Sequence, residues 1–149
     1  LLLSRQKLPS FSKAKKTQKN IEKGGYILFD KKKPDIILIA TGSEIKLAVE
    51  ARNTLAKENQ IAARVVSIPS TTVFDQQTES YKESVLPNNI PKMVIEAGVT
   101  DYWWKYQPDV VLGIDRFGES APAKDLFDSL NISVETIVES VLVLLENNS

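Results

Sequence analysis

The sequence predicts an α/β domain of three layers, an open sheet of five strands between two helical layers, with four strands parallel and one an antiparallel edge. Three observations carry that prediction. The chain has 149 residues, room for one domain of ordinary size and not for two. Short β-prone apolar runs alternate with segments whose apolar residues recur at helical spacing, and strands separated by helices call for a parallel sheet covered on both faces. The first two runs are joined by only six residues, Asp30 to Asp35. A parallel crossover needs about a dozen, so the first strand must run against the second.

The compact unit begins at Tyr26, after Gly24 and Gly25 close a polar, lysine-rich stretch. Tyr26–Phe29 and Ile36–Ala40 read as the first two strands. The period then turns helical: Ile45, Ala48, Val49, Leu55 and Ala56 share one face of a helix reaching about Glu58. Arg64–Ile68 is the third strand, bounded by Pro69. A helix over Thr78–Val85 follows, and Pro87 and Pro91 frame the turn into a strand at Met93–Glu96. Asp101–Tyr106 reads as helical and Val110–Ile114 as the fifth strand. Pro122 stands at a first helical position ahead of Ala123–Leu130. In the closing helix Val134, Ile137, Val138, Val141, Leu142 and Leu145 keep one stripe, with Ser133 as its cap.

Composition limits the chemistry. With 42% of residues hydrophobic, enough apolar side chains can be buried, at about 1.5–3 kcal/mol each, to offset backbone entropy, so a disordered chain is excluded. The longest apolar runs, Ile36–Ala40 and Val141–Leu145, fall far short of the roughly 20 residues that cross a bilayer. There are no cysteines and no histidines. Thiol nucleophiles, cysteine metal sites, histidine bases and Ser-His-Asp triads are therefore out of reach, and an autonomous enzyme becomes a poor expectation. The net charge of zero is unevenly spread: residues 1–33 hold Arg5 and nine lysines against Glu22 and Asp30, a net +8, leaving −8 on the rest. These lysines lie among Ser, Thr, Gln and Asn without interleaved aromatics, which suits a solvated linker better than a nucleic-acid arm. The chain opens on Leu1 rather than methionine and reads as an excised piece.

Four segments are candidate sites, each with a plainer reading. Thr41, Gly42 and Ser43 end the second strand and open a helix, where backbone N–H groups and the helix dipole can seat an anion. The run Thr41–Glu44 equally matches a capping box, and it lacks the glycines of a dinucleotide loop and the Gly-Lys-Ser/Thr of a P-loop. Phe117–Pro122 makes a similar loop into a helix, in which a buried Glu119 would be an acid or base; Glu96, at a strand end, invites the same thought. Tyr102, Trp103, Trp104 and Tyr106 with Lys105 form the densest aromatic cluster, which suits a buried contact with a neighbouring domain or subunit better than base stacking. Arg5 in Ser4-Arg5-Gln6 can make a forked contact to phosphate or carboxylate.

Taken in order, these segments resemble the transketolases. The resemblance is carried by Leu3 to Pro9, Gly24-Gly25-Tyr26, Pro34 to Glu44, Val65 to Thr71 and Phe74-Asp75. It continues through Tyr81 to Pro87, Ile95 to Val99 with Asp101-Tyr102-Trp103, and Phe117 to Pro122. It implies the family's carboxy-terminal domain: residues 1–9 as the last strand of the preceding pyrimidine-binding domain, 10–25 as linker and 26–149 as the domain itself. It implies a full-length, cytoplasmic homodimer of the pentose phosphate pathway that moves a two-carbon ketol unit from a ketose phosphate to an aldose phosphate. Thiamine diphosphate and Mg2+ (or Ca2+) would be held by the upstream domains. By the same resemblance Arg5 contacts the sugar phosphate, no residue here is catalytic or binds cofactor or metal, and the piece alone is inactive and supports the dimer. Its partners would be the upstream domains, the second subunit and sugar phosphates, with no nucleic acid and no membrane. Lys7 stands where the family usually has Asn, and the linker is unusually rich in lysine. The alternatives are a nucleotide- or anion-binding regulatory module at Thr41–Ser43, a purely structural dimerisation domain, and the same domain of dihydroxyacetone synthase.

Overall fold

The computed structural model describes residues 19–113 and 132–147. Five strands form one sheet: β1 (Tyr26–Phe29), β2 (Ile36–Ala40), β3 (Ala63–Ser67), β4 (Lys92–Ile95) and β5 (Val110–Leu112). Their order is β1-β3-β2-β4-β5, and only β1, on an edge, runs antiparallel. The expected fold class is therefore the observed one. The short link does reverse the chain between β1 and β2, but β1 pairs with β3 (Tyr26 opposite Ser67), so β3 lies between the two strands the link joins.

β2 is central and its five residues are fully buried. Alternate side chains serve opposite faces. Ile36, Leu38 and Ala40 meet α1 (Glu44–Thr54), the π turn Leu55–Asn59 and the last helix, through Ala48, Ala51, Leu55, Ile137 and Val141. Ile37 and Ile39 meet α2 (Thr71–Asp75), α3 (Glu79–Val85) and the 3-10 helix Asp101–Tyr106, through Phe74, Val85 and Trp103. The last helix, α4, spans Val134–Asn147, with its Thr136 N–H donating to Ser133 Oγ at 3.2 Å, as its sequence predicts.

Two local departures have physical causes. The helix expected to Glu58 widens into a π turn at Leu55, whose side chain is fully buried, and ends at Gln60 in the left-handed region. The five-residue α2 has too few turns for a periodic signal; Ser70 caps it, accepting from the Val73 N–H at 3.4 Å. The helix expected over Asp101–Tyr106 is present over those residues, wound as a 3-10 helix. The strand expected within residues 1–9, Arg5 with it, most of the linker, Phe117–Pro122 with Glu119, and the helix at Ala123–Leu130 lie outside the described residues.

Candidate functional site

The strand order places one feature that no local pattern shows. From β2 the chain crosses to β3 on one side, and from β4 it crosses to β5 on the other, so the order switches between neighbours β2 and β4. In open α/β sheets the crevice beyond the carboxyl ends of such a pair is the usual ligand position. Here it is flanked by Thr41–Glu44 after β2 and by Glu96 after β4.

Both glutamates are buried, Glu44 at 4% and Glu96 at 9% exposure. Glu96 Oε2 accepts from Tyr102 O–H at 3.0 Å and from Trp103 Nε1 at 3.1 Å. Glu44 Oε1 accepts from Ser43 Oγ at 2.6 Å. Burial raises the pKa of Glu96 above the ordinary carboxylate value, against the pull of its two donors. Burial also raises Glu44, opposed by the Ser43 bond and aided by the charge of Glu96. Burial and the Glu96 charge push Tyr102 up to about 12, so its proton stays on the phenol and is donated. The pair is thus a low-dielectric acidic centre pinned to an aromatic helix.

That arrangement changes the reading of Thr41–Ser43. Gly42 turns the chain at φ +54°, a conformation suited to glycine, and Ser43, not Thr41, is the residue that precedes α1. Ser43 has helical backbone angles and its hydroxyl goes to Glu44, so the expected capping box is not formed. The Glu44 N–H donates to the Thr41 carbonyl at 3.2 Å, and the Glu44 carboxylate answers the helix dipole. A Cβ on Gly42 would stand 3.7 Å from Glu44 Oε2, so an anion seated over this turn would face a carboxylate. Among the described residues no three of His, Cys, Asp and Glu converge on a point.

The aromatic cluster divides. Trp103 is buried and Tyr106 packs on Phe74 with ring centroids 5.7 Å apart, whereas Trp104 and Tyr102 remain 51% and 44% exposed. Asp75, part of the Phe74-Asp75 pair but not among the candidate site residues, accepts from Lys105 Nζ and from Tyr106 O–H at 2.7 Å. Burial pushes Asp75 up, but those two bonds and the lysine charges outweigh it and hold the carboxyl below its ordinary value. A groove of about 340 Å³ lies beside this triad, between Phe74, Lys82, Leu86 and Tyr106; Lys82 and Lys105 are ion-paired there, with Glu79 and Asp75. Among the described residues no helix is long and apolar enough to cross a membrane.

Comparison with known proteins places the geometry in context. The family model for the transketolase-like TK C-terminal domain matches residues 24–133. Transketolase 2 of Aliivibrio fischeri is 47% identical over 149 residues, covering 97% of this chain and 22% of the relative. Transketolase 2 of Escherichia coli is 47% identical over 142 residues, covering 93% and 21%. Among solved structures, transketolase from Leishmania mexicana matches with a TM-score of 0.80 at 35% identity, over 87% of this chain and 19% of that one. A Pichia stipitis transketolase variant in complex with xylulose 5-phosphate matches with a TM-score of 0.80 at 39% identity, over 86% and 19%. The chain therefore spans about a fifth of the length of the relatives it matches.

Proposed function

The chain belongs to the transketolase C-terminal domain family, and from that membership we propose that it is the carboxy-terminal domain of a longer transketolase, one that transfers a two-carbon ketol unit between sugar phosphates. The observation that carries the reading is the family match over residues 24–133 in a chain that spans about a fifth of its relatives. A sugar-phosphate substrate is supported by the Pichia stipitis complex.

In this reading the present chain does no chemistry by itself. It contains no histidine, and its switch-point crevice carries two buried carboxylates where a diphosphate would need cations and free N–H groups. Thiamine diphosphate, which supplies the carbanion-stabilising chemistry of ketol transfer, and its divalent metal are assigned to the preceding domains of a cytoplasmic homodimer. Residues 1–9 close the preceding domain and 10–25 link it to this one. Arg5, always charged and able to fork two N–H groups onto one phosphate, is the residue of this chain that reaches the sugar phosphate.

The test is to express the whole reading frame and residues 1–149 separately and to assay both for ketol transfer with thiamine diphosphate and Mg2+. Activity is expected in the whole protein only, and calorimetry is expected to find no cofactor binding by the short chain; stoichiometric binding to it would overturn this assignment. Arg5→Ala in the whole protein should raise KM for the phosphorylated sugar by about 10- to 100-fold, the loss of one charge-assisted forked contact.

A further inference from the structure

We propose that the carboxyl end of the sheet, presented by Ile21, Val73, Val99, Tyr102 and Trp104, is the face on which the preceding domain of the whole protein docks. The inference rests on the reading of this chain as the last domain of a longer protein, and it names the surface. Among the described residues the exposed large hydrophobics are these five and Val143, and Val143 stands apart on α4. The other five share one end because of where their elements start. Val73 lies on α2, which follows β3, while Val99, Tyr102 and Trp104 follow β4.

Ile21 comes from the chain's own arrival at the same end. Gly24 N–H donates to the Ile21 carbonyl at 3.0 Å, and the Gly24 carbonyl accepts from Ser70 N–H at 3.0 Å, next to α2. β1 then starts opposite Ser67, the last residue of β3. Whatever precedes residue 19 is therefore delivered to the apolar end of the sheet, and relatives about five times longer than this chain supply the bulk to cover it.

The face is also held ready. Glu96 grips Tyr102 O–H and Trp103 Nε1, and the buried Trp103 ring fixes the 3-10 helix, so Trp104 and Tyr102 are presented with little freedom left to lose on contact. Aromatic side chains on a rigid support are the usual anchors of protein contacts. A small ligand is the poorer occupant, because the crevice behind these residues holds two buried carboxylates, and the groove of about 340 Å³ that adjoins α2 and the 3-10 helix is lined by Lys82 and Lys105 already ion-paired to Glu79 and Asp75.

The test uses the whole protein. Tryptophan oxidation with peptide mass mapping should modify Trp104 at least about tenfold more slowly than in the same protein unfolded in urea, since protection tracks how rarely the covering contact opens. Trp104→Asp should raise proteolysis within residues 10–25 by about tenfold, equivalent to about 1.4 kcal/mol of lost docking, while Val143→Asp leaves it unchanged. Trp104 oxidised at close to its unfolded rate overturns the proposal, as does protection that vanishes on dilution to a single chain, which would make the covering surface a second copy. Equal proteolysis of the two variants overturns it too. Ketol transfer by the same sample reads the family function separately: activity with an open Trp104 sinks the docking face alone, and protection without activity sinks the function alone.

Discussion

The two faces of the sheet are built by different means. Against Ile36, Leu38 and Ala40 lies an aliphatic layer, in which α1, the π turn after it and the 14-residue α4 pack Ala48, Ala51, Leu55, Ile137 and Val141 with no polar partner required. Against Ile37 and Ile39 lie three elements of five, seven and six residues, too short to hold themselves. They are held by aromatic rings with polar tips: Trp103 and Tyr102 on Glu96, Tyr106 on Asp75, and Tyr81 O–H on the Gly25 carbonyl at 2.9 Å. The first layer is specified by volume and tolerates any side chain that fills it. The second is specified by direction, because each ring has one partner that must be met.

The sharpest way to break that contrast is to cut one large side chain from each layer. Trp103→Ala should cost about 3–5 kcal/mol and Leu55→Ala about 2–5 kcal/mol, both read by urea unfolding of this chain. Shape-conserving changes should then separate the layers. Leu55→Met keeps the volume and should cost less than about 1.5 kcal/mol. Trp103→Phe keeps a ring but removes the donor to Glu96, and leaving that buried carboxylate short of a partner should cost about 1–3 kcal/mol beyond the lost volume. Equal costs for the two conservative changes would remove the distinction.

The same contrast explains what could be read from the amino acids. The stripe through Val134, Ile137, Val141 and Leu145 announces α4, and the six residues between β1 and β2 announce their opposed directions, because periodicity and link length are local. The neighbour of β1 was not legible, since pairing with β3 depends on how the later crossover turns. Nor was α2, whose one cue was Ser70 after Pro69. By sequence Glu44 is half of a capping box, yet with φ +54° at Gly42 the helix starts at Glu44, one residue after Ser43, and Glu44 is carried inward. That Glu44 and Glu96 flank one crevice follows from β4 pairing with β2, which leaves no trace in either segment. Trp103 and Trp104 are adjacent and identical in type, and only the twist of a 3-10 turn sends one into the core and the other to solvent.

Proton linkage sharpens the comparison at smaller cost, since the two buried glutamates lie at the carboxyl end of the sheet, Glu96 after β4 and Glu44 in the first turn of α1, away from the aliphatic contacts of that helix. Glu44 and Glu96 have folded pKa values above the ordinary 4.5. An acid raised on folding contributes stability that is complete below its unfolded pKa and is lost as pH rises through its folded value. Asp75 is lowered from 3.8, so its contribution is present above that value and is lost as pH falls through the lowered one. Between the two windows the glutamates dominate: the urea midpoint of the native chain should fall as pH rises from about 4.5 towards neutrality, and Glu44→Gln with Glu96→Gln should flatten that fall. An unchanged slope would mean that the carboxylates are better solvated than their burial implies.

The smallest expected effects distinguish a directed contact from a merely close one. Tyr106→Phe deletes the hydroxyl that donates to Asp75 at 2.7 Å, and with Lys105 still in place the loss should be about 0.5–1.5 kcal/mol. Lys82→Ala removes an ion pair of comparable length, 2.6 Å, but its partner Glu79 is 91% exposed in its side chain, so water replaces the contact and the loss should stay below about 0.5 kcal/mol. Distance alone would rank the two together. If Lys82→Ala instead proved the costlier, the α3 end of this layer would be held by surface charge, and the account of a face fixed by directed partners would have to be confined to the buried Glu96 and its two rings.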